Sequence, residues 1–262
     1  MEKIYFLSDA HLGSSTFSNP IEKEKKLVRF LDSIKDDAKE LYLLGDILDF
    51  WYEFKNVVPR GFTRLFGKIA ELTDKGVKVY WFTGNHDIWI FDYLPKEIGV
   101  IIHRQPIVKE INGKKFFLAH GDGLGDDSLS YKFMSRFFRN RFCQRIFTSI
   151  HPRWTVSFAH KWSAHSRLNG SDYDSFLGED KEHLVIFSKK ILENNDINFF
   201  IYGHRHIMLD LMIKKESRVV ILGDWVNLFS YGVLEGDDFR LEQFEEEQGN
   251  LDNERQGVSI AF

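Results

Sequence analysis

The chain has 262 residues, 43% of them hydrophobic and 28% charged, with a formal net charge of −4. That composition belongs to a folded globular protein with a sizeable core and excludes a disordered or collagen-like chain. The single cysteine, Cys143, excludes an internal disulfide, and no apolar run approaches the roughly 18 residues that a membrane span needs. The Met-Glu-Lys start lacks the basic, then apolar, then small-residue order of a secretory signal, so a reducing, cytoplasmic setting is expected.

The chain opens on KIYFLSDAHLG, an apolar run from Ile4 to Leu7 that ends in Asp9 and His11. Alone, this pair reads most simply as a capping acid and a loop histidine. The pattern recurs, however. ELYLLGDILDF ends at Asp46, VYWFTGNHD at Asn85, His86 and Asp87, KFFLAHGD at His120 and Asp122, and FFIYGHRH at His204 and His206. Ligand sites of open α/β sheets lie outside the carboxyl ends of the strands, so polar groups clustered at strand ends are expected to converge.

Between these runs, IEKEKKLVRFLDSIKDD carries Ile21, Leu27, Val28, Phe30, Leu31 and Ile34 at helical spacing, which predicts a crossover helix after the first strand. A strand over 40–46 follows. Next comes a second helix, with Phe62, Leu65, Phe66, Ile69 and Leu72 as its stripe and Gly76 as its C-cap, and then a strand over 77–83. This β-α-β-α-β order favours a parallel sheet with right-handed crossovers. From Val100 the strands shorten and antiparallel pairing is expected to begin, with Asn112-Gly113 marking a type I′ hairpin. KEHLVIFSKKILENN predicts another helix, and SRVVILGDW with FSYGVLEGDDFRLEQFE predicts further hairpins before a polar, frayed tail.

One segment breaks the strand pattern. Residues 128–171 hold eight of the 35 basic residues (Lys132, Arg136, Arg139, Arg141, Arg145, Arg153, Lys161 and Arg167) and none of the 39 acidic ones. Aromatics such as Phe133, Phe137, Phe138, Phe142, Phe147 and Trp154 are interleaved with them, and Met134, Phe138, Phe142, Ile146 and Ile150 recur every four residues. The domain reading is therefore a core of 1–127 with 179–245, an inserted helical cap over 128–178, and a polar tail over 246–262. Basic and aromatic helices suit an anionic lipid surface. The aromatics could equally be the cap's own core, a single-stranded nucleic-acid platform or a dimer interface.

Asp9, His11, Asp46, Asn85, His120, His204 and His206 are too many donors for one ion. A carboxylate, amide and imidazole set without thiolate suits Mn²⁺, Mg²⁺, Fe²⁺ or Zn²⁺, and two ions sharing one carboxylate would use every donor. The motifs D-x-H, GD-x-x-D, GNHD, HGD and GHRH, in this order, resemble the calcineurin-like metallophosphoesterases. That resemblance implies an α/β fold, a two-sheet sandwich flanked by helices with the cap inserted. It also implies one metal on Asp9, His11, Asp46 and His206, and another on Asp46, Asn85, His120 and His204, with Asp46 bridging. Water activated by two cations, Mn²⁺ foremost, would attack phosphorus. His86 would donate to a phosphoryl or leaving oxygen, Asp87 would orient it or brace a turn, and Asp49 and Asp122 would support the ligands.

Within the family, GD-x-x-D-x-W at 45–51, the acids Asp126 and Asp127 after HGD, and AHSR at 164–167 resemble the branch that hydrolyses UDP-2,3-diacylglucosamine in lipid A synthesis. The chain departs from the Arg common in that branch at His86. The resemblance implies Asn85, Asp127, Ser166 and Arg167 as substrate contacts and a nucleotide-linked glycolipid as substrate. It further implies a cap resting on the inner leaflet from the cytoplasmic side, with no nucleic-acid partner. A soluble phosphodiesterase or phosphatase for nucleotides or phosphoproteins is the alternative; the number of subunits is open.

Overall fold

A computed structural model describes residues 2–125, 133, 136–150, 154 and 175–245. Two sheets form the molecule's centre. The first has the order β11-β10-β1-β2-β3-β4 and the second β5-β6-β7-β9-β8. In the first sheet, β1 (Lys3–Leu7), β2 (Ala38–Leu43), β3 (Lys78–Phe82) and β4 (Ile101–His103) run parallel. The hairpin of β10 (Ser230–Glu235) and β11 (Asp238–Gln243) adds to the β1 edge. In the second sheet, β6 (Lys114–Leu118), β7 (Phe199–Tyr202) and β9 (Ser217–Leu222) are parallel, while β5 (Ile107–Ile111) and β8 (Met208–Lys214) lie antiparallel at its edges. Helices α1 (Pro20–Ser33), α2 (Thr63–Asp74), α3 (Tyr93–Ile98), α4 (Arg141–Ser149) and α5 (His183–Ile191) complete the elements used below. The expected two-sheet α/β sandwich is the fold observed.

The layering follows from strand alternation. On β1, Tyr5 and Leu7 join the cluster that packs α1 and α2, whereas Ile4 and Phe6 face the other sheet. β2 and β3 repeat this, with Leu41, Leu43, Val79 and Trp81 toward the helices and Tyr42 and Phe82 inward. The second sheet mirrors it: Phe116, Phe199 and Val220 meet the first sheet, while Phe117, Phe200 and Val219 pack under α5. Both faces of each central strand are covered, which is why these strands read as continuous apolar runs. Rings stack between neighbouring strands of each sheet, Phe6 on Tyr42 at 5.0 Å and Phe116 on Phe199 at 4.6 Å between centroids, and Phe6 meets Phe116 across the inner layer at 6.3 Å.

Three expectations change in detail. β4 still pairs parallel with β3, so antiparallel order starts at β5 rather than at Val100; three residues after Gly99 suffice to extend the existing ladder. Ile21, the second residue of α1, is exposed instead of joining the apolar stripe. Phe62 precedes α2 in a left-handed conformation instead of beginning its stripe, and the Glu24 carboxylate of α1 accepts the Arg64 and Leu65 N–H groups that open α2. The Asn112-Gly113 turn has positive φ at both residues, +50° and +76°, as a type I′ hairpin requires.

In the basic segment, the four-residue stripe divides. Asn140 caps α4, accepting from the Phe142 and Cys143 N–H groups. Phe138 and Phe147 lie against Phe50, Tyr52 and Trp89 of the core, whereas Phe142, Ile146 and Ile150 are exposed. Asp126, Asp127, Tyr131, Lys132, Arg153, Phe158, Lys161, Trp162, Ser166, Arg167 and the tail over 246–262 lie outside the described residues.

Candidate metal centre

The loops after β1, β2, β3, β6 and β7 meet at one end of the sandwich. Ladder bonds continue past the strands, Asp9 N–H to Gly45 O at 3.1 Å, His11 N–H to Asp46 O at 2.9 Å and Gly203 N–H to His120 O at 2.9 Å, so the loops hold each other. Asp9, His11, Asp46 and His120 are buried; Asn85, His86, His204 and His206 form the open side.

Two donor groups share one carboxylate. In the first, Asp9 Oδ1 lies 3.8 Å from His11 Nε2 and 3.6 Å from His206 Nε2, and the two imidazole nitrogens are 3.2 Å apart. In the second, His120 Nε2 is 3.2 Å from Asn85 Oδ1, and ligating atoms of Asp46, His120 and His204 all lie within 4.8 Å of one another. Asp46 Oδ2 is 4.0 Å from His11 Nε2 and 3.3 Å from His120 Nε2. All seven residues singled out in the sequence are thus brought together. His86 reaches the same place: its ring meets that of His11 edge-on at 4.7 Å, and its donors group with His11 and Asp46 within 4.8 Å.

The residues fit divalent cations on four observations. First, Asp9 Oδ1 is buried and has no hydrogen-bond partner among the described residues, a costly state unless something else binds there. Second, five of the donors, Asp9, His11, Asp46, His204 and His206, have positive φ. That conformation is unfavourable for non-glycine residues and tends to gather at functional sites. Third, glycines surround the donors closely. A Cβ on Gly45 would come within 2.6 Å of the His120 ring and one on Gly203 within 2.5 Å of Asp9 Oδ2, while one on Gly84 would strike Asp46. Fourth, burial holds His11 well below its ordinary pKa and pushes His204 down to about 4; neutral imidazoles are the form that ligates. Burial opposes charge on His120 too, yet the Asp46 carboxylate beside it raises the ring's pKa well above normal. A proton held between a carboxylate and an imidazole occupies the position a cation would take.

Supporting residues are now distinguishable. His120 Nδ1 lies 2.8 Å from Leu44 O, a carbonyl that can only accept, which fixes the tautomer presenting Nε2 to the site. His86 donates its backbone N–H to Asp46 Oδ1 at 2.8 Å and its ring Nδ1–H to the Asp49 carbonyl at 3.1 Å. Asp87 braces the turn: it accepts from the N–H groups of Gly84, Asp46 and Ile47 and from the Trp81 indole, and no described contact joins it to His86. Burial, then the neighbouring Asp46 charge, raise Asp87 to about 6.

Sequence reasoning missed Asp224. Its Oδ2 is 3.2 Å from His206 Nδ1, and its Oδ1 accepts the N–H groups of Val226, Asn227 and Leu228. The signal was present, since SRVVILGDW is a sixth apolar run ending in an acid. Arg205 was missed as well; its guanidinium forms a two-point pair with buried Glu182 at the start of α5, fixing the loop that carries His204 and His206. Among the described residues, no helix is long and apolar enough to cross a membrane.

Comparison with known proteins gives the frame for this geometry. A protein of Porphyromonas gingivalis named UDP-2,3-diacylglucosamine hydrolase is 42% identical over 257 residues, covering 93% of this chain and 98% of its own. A Haemophilus influenzae protein of the same name is 28% identical, covering 86% and 91%. Among solved structures, the E. coli phosphoesterase Yfce covers 90% of both chains at 18% identity with a TM-score of 0.44. Residues 2–208 match the family model described as calcineurin-like phosphoesterase. The chain belongs to the calcineurin-like phosphoesterase family and is a metal-dependent hydrolase.

Proposed function

We propose that this protein hydrolyses the diphosphate of UDP-2,3-diacylglucosamine, adding water across the P–O–P bridge to give UMP and 2,3-diacylglucosamine 1-phosphate in lipid A synthesis. The observation that carries this reading is the pair of donor groups meeting at Asp46, in a chain 42% identical over nearly its full length to a protein of that name. One divalent cation is assigned to Asp9, His11, Asp46 and His206, the other to Asp46, Asn85, His120 and His204, with Mn²⁺ the proposed ion. Bound there, two cations supply a lowered water pKa and neutralise charge on the phosphoryl oxygens.

The chain's own residues do the rest. Asp46 sits between the two donor groups and bridges them. Neutral His11 and His204 present lone pairs. His206 is oriented through Nδ1 by Asp224 and His120 through Nδ1 by the Leu44 carbonyl. Because the His86 Nδ1–H is given to Asp49 O, Nε2 can donate to a phosphoryl or leaving oxygen only when the ring is a cation, which suits an anionic substrate. Asn85, on the exposed side, contacts substrate as well as metal; Asp127, Ser166 and Arg167 are assigned to the sugar and phosphate.

The segment 128–178 is the proposed cap. It meets the core through Phe138 and Phe147, with the Trp89 indole donating to Phe138 O at 2.9 Å, and leaves Phe133, Phe137, Phe142, Ile146 and Trp154 exposed beside Arg136, Arg141 and Arg145. Such a face suits rings at the acyl boundary and guanidiniums at lipid phosphates, consistent with a cytoplasmic enzyme resting on the inner membrane. The test is incubation of purified protein with Mn²⁺ and UDP-2,3-diacylglucosamine. Release of UMP is expected; hydrolysis of a simple phosphodiester with no UMP release would assign the protein instead to a general phosphodiesterase role.

A further inference from the structure

The stretch that leads into α2 carries charge that neither the fold nor the reaction uses. Residues 54–70 hold Lys55, Arg60, Arg64 and Lys68 and no acid, the longest acid-free run outside the basic segment. Further along α2 the cations are neutralised: Lys68 pairs with Asp32 and Glu71, and Lys75 with Asp36 and Glu71. Lys55, Arg60 and Arg64 are exposed, and among the described residues no carboxylate pairs with them. Arg64 even stands in the first turn of α2, where a cation opposes the helix dipole. The buried Glu24 carboxylate beside it is taken by the Arg64 and Leu65 N–H groups, not by the guanidinium. These three cations contribute no pairing to the fold, which leaves them available to an external anion.

The stretch is held by its apolar side chains. Phe54 packs against buried Tyr52 at 4.7 Å between centroids, Val58 against the helix-side core, and Phe62 against Trp51 at 6.1 Å. The Phe54 N–H donates to Val57 O at 3.1 Å, closing a small loop of Lys55 and Asn56 and leaving Val57 54% exposed beside them. Tyr52 also meets Phe147 of α4 at 5.3 Å and donates its hydroxyl to Gln144 O at 3.3 Å. One tyrosine therefore bridges this stretch and α4, whose exposed Arg141, Phe142, Arg145 and Ile146 belong to the face assigned above to lipid.

The chemistry of these groups selects an occupant. Anionic lipid meets Lys and Arg at its phosphates and admits aliphatic side chains at the acyl boundary, and the three cations with Val57 match both. Single-stranded nucleic acid would need exposed rings for base stacking, whereas the rings here, Phe54 and Phe62, are the anchors.

We propose that residues 54–64 form a second membrane contact, supplied by the core itself, in which Lys55, Arg60 and Arg64 meet the phosphates of anionic phospholipids and Val57 enters beside them. The inference rests on the membrane-resting reading above. Two contacts joined through Tyr52, in place of the cap alone, limit how the metal centre can tilt against the bilayer.

The test is flotation of the full chain with vesicles of phosphatidylglycerol and phosphatidylethanolamine. Lys55→Gln, Arg60→Gln and Arg64→Gln combined are expected to lower vesicle partition by at least about tenfold, within the effect of three cations at an anionic surface. The thermal unfolding midpoint is expected to stay in place, since none of the three has a described ion-pair partner to lose. The same change at exposed Lys190, Lys214 and Lys215, on α5 and at the end of β8, is expected to alter partition by less than about threefold, because charges away from the contact are screened. The proposal is overturned if the native chain does not float, if the 54–64 variant floats as the native chain does, or if the control variant loses as much. A loss confined to single-stranded RNA would reassign the stretch to nucleic acid. Failure of the cap reading is separate: if replacing Phe142 and Ile146 with Glu leaves flotation intact while the 54–64 variant loses it, the core stretch is the contact and α4 is not.

Discussion

At the scale of single residues, Asp46 decides most. Its carboxylate lies between both imidazole groups, accepts the His86 backbone N–H and neighbours Asp87. Asp46→Ala is expected to lower kcat by more than about 10²-fold, beyond the usual effect of an outer partner, and to lower the Mn²⁺ bound per chain as read by elemental analysis; unchanged turnover and metal content would remove its bridging role. Asp224 acts one step out, through His206. Asp224→Ala is expected to weaken Mn²⁺ binding by about 10–100-fold, measured by titration, with kcat at saturating metal changing less than the affinity does.

At the scale of elements, the site is held by loops that borrow partners from other elements. Glu53 illustrates this: one carboxylate oxygen accepts the N–H groups of Phe91, Asp92 and Tyr93 at 2.7–3.0 Å, and the other accepts from the Trp51 indole. These bonds fasten the GNHD turn's continuation to the segment after β2. Glu53→Ala is expected to destabilise the fold by about 3 kcal/mol, since several buried donors are left unpaired, seen as a lower midpoint in chemical denaturation. Element identity was legible in sequence wherever periodicity was strong: the crossover helices, the parallel triad and the Asn112-Gly113 turn stand as read. Missed details were those settled by a partner from elsewhere, such as Glu24 opening α2 in place of a local cap, or β4 joining a ladder already formed.

For the whole molecule, the division of charge and aromatic residues has a direct consequence. If the exposed Phe142 and Ile146 of α4 rest in a lipid surface, replacing both with Glu should abolish flotation of the protein with anionic vesicles containing phosphatidylglycerol, while leaving hydrolysis of a water-soluble phosphodiester in place. Equal flotation of native and variant protein would argue against that face. The donors gather at one end of the sandwich, and the segment that carries this surface packs beside them, with Phe138 and Phe147 against Trp89 and Arg139 paired with Asp122.

The primary structure by itself determined the recurring unit, an apolar strand closing in an oxygen or nitrogen donor, because alternation and strand length are local properties that five successive motifs display openly. It also determined the family, since the order of those motifs is linear information. Only the tertiary structure decided which donors share Asp46, that Asp224 stands behind His206, and that the four-residue stripe of the basic segment splits between core and surface. Those are distances between residues far apart in the chain, set by how two sheets pack, and no local pattern encodes them.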